Sequence, residues 1–308
     1  MNALATAPVR GRLLRDEPLA RHTSWRVGGA ADRYFEPADR DDLIAFVRAL
    51  PADEAVLWLG LGSNLLVRDG GFRGTVICLH NALDELRVEE GSEGRRLHAQ
   101  AGVHCARLAK FAEREQLAGL GFMAGIPGTV GGALAMNAGA WGGETWPRVA
   151  EAELLFRGGR TDWIARDAVR YRYRYVELPS DALGFLAARF EVETDADGEH
   201  ARYTRASLAQ RKATQPVGKP SAGSTFRNPP GDHAARLIEA CGLKGHRIGG
   251  AEVSTQHANF IITDATARAA DVEALIAHIA LTVRAQTGIE LVTEVRIVGD
   301  ARSGEDAP

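Results

Sequence analysis

The stretch GFMAGIPGTVGGALAMNAGAWGG, residues 121–143, decides what kind of fold this chain adopts. It contains eight glycines in 23 residues and no charged side chain. A solvated loop of that length is seldom so apolar, and clustered glycines let the backbone come close to another group. Residues 126–133 and 137–140 therefore predict bare main chain lying against a planar ring or a pyrophosphate. The alternative is a tightly packed helix and turn built from small residues.

A second glycine loop, GLGSN at residues 60–64, follows the short apolar run VLWL at residues 56–59. This order is typical of a buried strand that enters a tight loop. Successive backbone N–H groups in such a loop point into one anion site. The loop is not a Walker motif, because no Gly-Lys-Ser/Thr follows, and it is not a GxGxxG fingerprint. It predicts a phosphate-binding loop or, alternatively, an ordinary strand-to-loop turn.

Polar groups concentrate in three further places. The segment KPSAGSTFRNPP, residues 219–230, holds hydroxyls, an amide and cations between prolines and a glycine, which indicates either a site for an anionic ligand or a plain surface turn. YRYRY, residues 171–175, alternates aromatic and cationic side chains on what is either a half-buried strand or a nucleic-acid patch. Glu294 and Arg296 lie on one face of a strand predicted at 291–298, where a structural ion pair is the commoner outcome.

Composition excludes several classes of protein. The 308 residues are 45% hydrophobic, which excludes a mainly disordered chain, and the net charge of −3 argues against nucleic-acid binding. Apolar runs fall short of the roughly 20 residues of a membrane helix, and no secretory signal is recognisable. Three widely spaced cysteines argue against a disulfide framework or a thiolate zinc site, so we expect no metal and a cytoplasmic location.

Hydrophobic spacing predicts two helices clearly. One covers residues 103–117 and ends at Gly119, and the other covers residues 271–284 with Asp271 as its cap. The polar run DADGEH, residues 195–200, predicts a domain boundary near residue 200.

Taken together, these stretches resemble one family. They share a fixed order along the chain and are HTSWRVGG at 22–29, GLGSNLLV at 60–67, IPG at 126–128, AGSTF at 222–226, LKG at 243–245 with IGG at 248–250, and EVR at 294–296. The chain resembles the UDP-N-acetylenolpyruvoylglucosamine reductases (UDP-N-acetylmuramate dehydrogenases), flavoenzymes of bacterial cell-wall precursor synthesis. The resemblance extends over residues 20–299, and six motifs in order make it specific.

The resemblance implies an α+β fold, with a two-subdomain FAD-binding region of the vanillyl-alcohol-oxidase type and a C-terminal α+β substrate-binding domain. We expect these at residues 1–200, split near residue 80, and at residues 201–300, with a loose tail at 301–308. No room exists for the tyrosine-bearing insertion of the longer subclass. The implied cofactor-binding residues are Gly60, Gly62, Ser63, Asn64, Leu65, Ile126, Pro127, Gly128, Thr129, Gly131, Gly132, Ala133, Asn137 and Gly139.

The family's catalytic residues carry over onto three positions. Its serine lies in Gly-Ser-x-Phe, which is Ser224 here, and its glutamate lies in Glu-Val-Arg, which is Glu294. Its arginine lies in Tyr-Arg-x-Ser, and this chain lacks that serine in both possible registers. The downstream Leu-Pro at 178–179 favours Arg174, with Arg172 as the alternative.

The resemblance also implies a reaction in two halves. NADPH passes hydride to N5 of bound FAD, and the reduced flavin then passes hydride to the enolpyruvyl ether of the UDP-sugar. Arg174 binds the substrate carboxylate. Glu294 stabilises the growing negative charge if it is protonated or shares a proton, and Ser224 donates a proton to the carbon next to the carboxylate. Lys219, Arg227 and Asn228 contact the substrate. We expect a monomer with no nucleic-acid or membrane partner. The alternatives are another FAD-dependent oxidoreductase of the superfamily and a non-catalytic sugar-nucleotide binder.

Overall fold

Two sets of chain segments form separate compact units in a computed structural model that describes residues 9–91 and 94–302. Unit 1 comprises Met1–Leu14, Arg33–Gly60 and Gly74–Gln210, and unit 2 comprises Arg15–Asp32, Leu61–Arg73 and Arg211–Pro308. Each unit has its own hydrophobic core. Of the predicted loose tail, residues 303–308 lie outside the described residues.

The regular elements are numbered in chain order. The α-helices are Arg40–Ala49 (α1), Cys105–Arg114 (α2), Val130–Met136 (α3), Glu199–Thr214 (α4), Ala234–Ala240 (α5) and Ala269–Thr287 (α6). The strands are Arg12–Pro18 (β1), Ala30–Glu36 (β2), Val56–Leu59 (β3), Leu65–Val67 (β4), Phe72–Cys78 (β5), Leu86–Gly91 (β6), Gly94–Gln100 (β7), Leu117–Ala118 (β8), Gly139–Ala140 (β9), Gly143–Glu144 (β10), Val149–Phe156 (β11), Thr161–Ala165 (β12), Arg170–Arg172 (β13), Tyr175–Glu177 (β14), Ala182–Glu191 (β15), Glu193–Thr194 (β16), Arg247–Ile248 (β17), Ala251–Val253 (β18), Ile261–Thr263 (β19) and Arg296–Val298 (β20). The 3-10 turns are Leu19–Arg21, Gly121–Gly125, Trp146–Arg148, Arg157–Gly159 and Arg166–Ala168.

Unit 1 is organised around an antiparallel sheet of order β12-β11-β15-β7-β6. Strands β3 and β5 also pair in this unit, and they run parallel. Val56 lies opposite Thr75 at one end of the pairing, and Leu59 lies opposite Cys78 at the other. Parallel strands end at the same edge, so the loops after β3 and β5 start side by side. The predicted strand at 56–59 is therefore present and leads into the GLGSN loop.

Helices α1, α2 and α3 each contribute buried residues to the hydrophobic core of unit 1. Helix α2 is shorter than the predicted helix 103–117, because His104 is its N-cap and the chain leaves the helix at Glu115. The prediction that Gly119 closes this helix is wrong. Gln116 takes the left-handed conformation instead, with φ 53°, and Gly119 follows the short strand β8.

Unit 2 combines an antiparallel sheet β17-β18-β19 with helices α5 and α6, and a parallel pair of β4 with β20. The early segment around Trp25 belongs to its core. The Trp25 side chain is fully buried, its Nε1 donates to the Ile261 carbonyl at 2.8 Å, and its own carbonyl accepts from Thr263 Oγ1 at 2.7 Å. Residues from both ends of the chain thus complete one core.

The strand predicted at 291–298 is regular only over Arg296–Val298, because the main chain before it is bent toward Thr225. Helix α6 begins at Ala269, before the predicted cap Asp271. The Asp271 carboxylate accepts from the Arg268 N–H at 3.0 Å from inside the first turn, and Asp69 accepts from Ala269 N and Ala270 N.

Helix α4 runs through the domain boundary predicted near residue 200, and unit 2 takes its last segment from Arg211 onward. The three-part division with a split near residue 80 stays a prediction. Among the described helices, none is both long and apolar enough to span a membrane.

Candidate active site

In unit 1, the first glycine loop meets the second glycine-rich stretch. A Cβ added to Gly60 would lie 2.5 Å from Thr129 Oγ1, so the backbone after β3 packs directly on that side chain. Thr129 is buried and is the N-cap of α3, where its hydroxyl accepts from the Gly132 N–H at 3.4 Å. Two motifs that are about 70 residues apart in the sequence are therefore in contact, as a common ligand would require.

Residues 126–131 are fixed by hydrogen bonds to the chain around α2. Cys105 N donates to Gly128 O at 2.9 Å, Val130 N to Val103 O at 2.8 Å, and Gly131 N to Ala101 O at 2.8 Å. Gly131 has no room for a side chain, because an added Cβ would lie 3.0 Å from the Ala101 Cβ. The small-residue alternative is thus partly correct, since residues 130–136 form a packed helix.

The opposite side of this segment is bare. Pro127 and Gly132 are exposed, and a Cβ added to Gly132 would meet only Thr129 Oγ1, at 3.7 Å. An exposed main-chain surface with small side chains accepts a flat ring at close range, which a larger residue at Gly132 would block. This surface fits the isoalloxazine ring of a flavin.

A pair of histidines adjoins this segment. His104 forms a β-bridge with Thr129, and its ring centroid is 4.8 Å from that of His80. Burial and the neighbouring His104 lower the pKa of His80, so this ring is neutral at pH 7.

Arg174 lies at the end of the glycine-rich stretch in unit 1. It occupies the turn between β13 and β14 with φ 55°. Its Nη2 donates to the Gly139 carbonyl at 3.0 Å and its Nη1 to the Asn137 carbonyl at 3.4 Å. Arg172, the alternative, has its guanidinium carbon 4.5 Å from the centroid of the Tyr175 ring. Of the two arginines, Arg174 is the one whose guanidinium contacts the predicted flavin segment.

In unit 2, the loop GSN at 62–64 offers backbone donors. Gly62 has φ 59°, and a Cβ there would lie 2.2 Å from the His22 carbonyl oxygen, so only glycine fits. Ser24 N donates to the Gly62 carbonyl at 3.2 Å, which holds the loop from behind. Within the described residues, no acceptor is bonded to the backbone N–H groups of Gly62, Ser63 and Asn64. Such a cluster of unused donors fits the pyrophosphate of FAD.

The same loop is bonded to the predicted catalytic glutamate. Asn64 Nδ2 donates to the Glu294 carbonyl at 3.2 Å, and the Asn64 carbonyl accepts from Arg296 N at 3.0 Å. Glu294 N in turn donates to the Thr225 carbonyl at 2.8 Å, and Thr225 directly follows Ser224. Unit 2 therefore brings together the predicted phosphate loop and the backbone next to the predicted catalytic serine and glutamate, from three distant segments.

Asn259 is a residue of this site that the sequence analysis missed. It is buried, its Oδ1 accepts from Phe226 N at 2.9 Å, its Nδ2 donates to Phe226 O at 2.8 Å, and its carbonyl accepts from Thr225 N at 2.8 Å. These bonds fix the backbone on the C-terminal side of Ser224. The only sequence signal is an amide between the apolar residues of HANFII, 257–262.

The three predicted substrate residues differ in their surroundings. Lys219 is exposed, and the Asn228 Oδ1 accepts from Ala234 N at 3.1 Å, so this amide oxygen caps α5. The Nε of Arg227 is buried and has no hydrogen-bond partner within residues 9–91 and 94–302. A buried unpaired cationic donor is costly unless a ligand satisfies it, so Arg227 is the strongest of the three candidates.

No group of three or more His, Cys, Asp or Glu in the described part of the chain is arranged to hold a metal ion. Burial raises the pKa of the Cys105 thiol to about 12, which keeps it protonated and inert at neutral pH.

The bare backbone of unit 1 suits a flavin ring, and the donor loop of unit 2 suits a pyrophosphate. Comparison with known proteins shows that the cofactor is FAD. Residues 31–165 match a family model described as an FAD binding domain. The chain is an FAD-dependent oxidoreductase. Residues 215–298 match a second model, described as the C-terminal domain of UDP-N-acetylenolpyruvoylglucosamine reductase.

Relatives extend this match to nearly the whole chain. A UDP-N-acetylenolpyruvoylglucosamine reductase of Methylococcus capsulatus is 54% identical over 98% of both chains, and one of Alkalilimnicola ehrlichii is 55% identical over 95% of this chain and 97% of its own. The crystal structure of the reductase from Thermus caldophilus has a TM-score of 0.78 at 31% identity, covering 94% of this chain and 98% of its own. The chain belongs to the family of UDP-N-acetylenolpyruvoylglucosamine reductases, flavoenzymes of peptidoglycan precursor synthesis. The predicted α+β class, with an FAD-binding region before a C-terminal domain, is confirmed.

Proposed function

We propose that this chain reduces the enolpyruvyl ether of UDP-N-acetylglucosamine-enolpyruvate to UDP-N-acetylmuramate with NADPH as the reductant, in the cytoplasm and as a monomer. One observation carries the proposal above all. In unit 2, Glu294 N donates to the carbonyl of Thr225, the residue directly after Ser224. Asn64, in the donor loop, donates from its side chain to the Glu294 carbonyl. A proton donor and an acid beside a cofactor loop are what this reduction needs.

FAD, when bound, supplies the hydride chemistry by accepting hydride from NADPH and delivering it to the terminal methylene of the enol ether. In unit 2, the N–H groups of residues 62–64 would hold its pyrophosphate, and in unit 1 the backbone of residues 126–133 would hold its ring. Negative charge then develops on the substrate carbon next to the carboxylate, and the protein must stabilise it and supply one proton.

Arg174 is proposed to hold the substrate carboxylate. A guanidinium is always charged and grips a carboxylate through two parallel hydrogen bonds. As negative charge spreads into the carboxylate, this pair strengthens, so the contact is worth more in the transition state than in the ground state.

Ser224 is proposed to give its hydroxyl proton to the carbon next to the carboxylate, which creates the new stereocentre. A serine hydroxyl is a weak acid, so the strongly basic carbanion drives this transfer. The backbone that Asn259 fixes from Thr225 to Phe226 limits where the Ser224 hydroxyl lies, which supports a single face of protonation. Glu294, in its protonated form, is proposed to assist by hydrogen bonding to the developing anion.

The reaction is tested by flavin absorbance. The purified chain is expected to be yellow, to bleach with NADPH under nitrogen, and to regain its colour when the enolpyruvyl nucleotide is added, faster than with air. A yellow protein that NADPH bleaches and only air restores would indicate an oxidase of the same superfamily. A protein that binds the nucleotide without any colour change would be a non-catalytic binder.

Arg227 is proposed to bind an anionic group of the UDP-sugar. We expect Arg227→Met to raise KM for the enolpyruvyl nucleotide about tenfold or more and to leave kcat within about threefold, because one charge-assisted hydrogen bond is lost equally in ground and transition states. Steady-state kinetics with saturating NADPH measure both constants. Arg236→Met is the matched control, since Arg236 lies in the same unit and pairs with Asp232. An unchanged KM for Arg227→Met would remove Arg227 from the substrate site.

A further inference from the structure

We propose that Asn137 is a positioning residue for Arg174, and that it acts through its buried amide and its carbonyl rather than by contact with the cofactor. The inference rests on the proposed role of Arg174. Asn137 ends helix α3 with φ 40° and ψ 52°, a left-handed conformation that few residues other than glycine and asparagine adopt readily. Its side chain is fully buried in unit 1.

The Asn137 amide is fully engaged inside the protein. Its Nδ2 donates to the Arg172 carbonyl at 3.2 Å and to Glu144 Oε2 at 3.0 Å, and its Oδ1 accepts from Trp146 N at 2.9 Å. Both amide hydrogens are used, and the group lies away from solvent. The family resemblance places Asn137 among the cofactor-binding residues; its amide is occupied by these three bonds, so any contact of Asn137 with FAD would have to come from its backbone.

These bonds hold both ends of Arg174. The bond to the Arg172 carbonyl fixes the β13–β14 hairpin two residues before Arg174, which has the strained φ of 55°. The Asn137 carbonyl accepts from Nη1 of the guanidinium itself, and the Gly139 carbonyl accepts from Nη2. One residue thus restrains both the backbone and the charged head of the same arginine.

Carbonyl acceptors suit this role. A carbonyl orients a guanidinium by accepting a hydrogen bond and carries no formal charge of its own. Arginine loses much side-chain freedom when it is fixed, and a site that fixes it before the substrate arrives avoids that loss at the binding step.

The variant Asn137→Gly tests the contribution of the side-chain amide separately from that of the backbone carbonyl. Glycine adopts the same left-handed backbone conformation and keeps the carbonyl that accepts from Arg174. The substitution removes only the side-chain bonds to Arg172, Glu144 and Trp146. We expect reduction of the flavin by NADPH to stay within about threefold of the wild type, and reoxidation by the enolpyruvyl nucleotide to slow about 10- to 100-fold, with a higher KM for the nucleotide. Stopped-flow absorbance separates the two half-reactions. Asn81→Gly is the matched control, because Asn81 also has a left-handed φ, of 66°, and is exposed.

A double-mutant cycle with Arg174→Ala tells positioning from general damage. If Asn137 acts through Arg174, then Asn137→Gly slows reoxidation no further once Arg174 is alanine. Additive losses, or a fully active Asn137→Gly, would overturn the inference. If Arg174→Ala alone leaves reoxidation unchanged, the proposed role of Arg174 fails instead, so the two failures are distinguishable.

Asn137→Asp tests the same idea should the glycine variant not fold. It places an acceptor opposite the Arg172 carbonyl and Glu144, and only its protonated form can donate as the amide does. We expect its reoxidation rate, as a ratio to the wild type at each pH, to rise as the pH falls. A ratio that does not change with pH would contradict the proposal.

Discussion

Replacement of Ser224 by alanine is expected to slow reoxidation of the reduced flavin by the enolpyruvyl nucleotide about 10³- to 10⁴-fold, the upper range for loss of a general acid. The substrate carbanion would then depend on water for its proton. Reduction of the flavin by NADPH needs no proton from Ser224, so its rate is expected to stay near that of the wild type. Rapid-mixing absorbance measurements of each half-reaction test both statements.

Ser221→Ala provides the control for this substitution. Ser221 lies three residues earlier in the same segment, is half-buried, and takes part in a β-bridge with Ile262 through its backbone. We expect both half-reactions of Ser221→Ala to remain close to normal. Equal losses in the two half-reactions of Ser224→Ala would mean that the serine supports the flavin site as a whole, and the assigned proton transfer would have to be abandoned.

Replacement of Arg174 by alanine is expected to lower the rate of the same reoxidation step about 10²- to 10³-fold and to raise KM for the nucleotide. Each charge-assisted hydrogen bond to the carboxylate contributes about 1.5–3 kcal/mol, and part of that contribution grows as charge moves into the carboxylate. Arg174→Lys should recover only part of the loss, because an ammonium keeps the charge and lacks the planar fork.

Arg172→Ala is the natural comparison for Arg174. Arg172 is exposed and its guanidinium stacks over Tyr175, and only its carbonyl is bonded to Asn137, which alanine retains. We expect the half-reactions of Arg172→Ala to change by less than about threefold, as for most exposed positions. A large loss of reoxidation rate for Arg172→Ala with little loss for Arg174→Ala would assign the catalytic role to Arg172.

Local patterns predicted the parts of the structure that depend on local forces. The apolar run at 56–59 followed by glycine predicted β3 and its loop, and the helical spacing at 271–284 predicted most of α6. The exposed backbone at Pro127 and Gly132 was predictable because proline fixes its own φ and glycine has no side chain to cover the main chain.

Long-range hydrogen bonds explain what the sequence did not predict. Asn259 fixes the backbone after Ser224 through bonds to residues more than 30 positions away, and no periodicity marks it. Nothing in the sequence indicates that the Asn137 side chain is buried and bonded to the Arg172 carbonyl, 35 positions away. The C-terminal end of α2 was mispredicted because Gln116, rather than a glycine, takes the left-handed conformation after the helix.

The discontinuous make-up of unit 2 has a consequence for biosynthesis. Trp25 and Leu66 pack in one core with residues as late as Val295, and β4 finds its only parallel partner among the described strands in β20. A ribosome adds about 5–20 residues per second, so these early side chains wait on the order of ten seconds or more before the last strand emerges. During that interval Trp25 and Leu66 lack the late residues of their native core, and such unburied apolar side chains favour aggregation until synthesis ends.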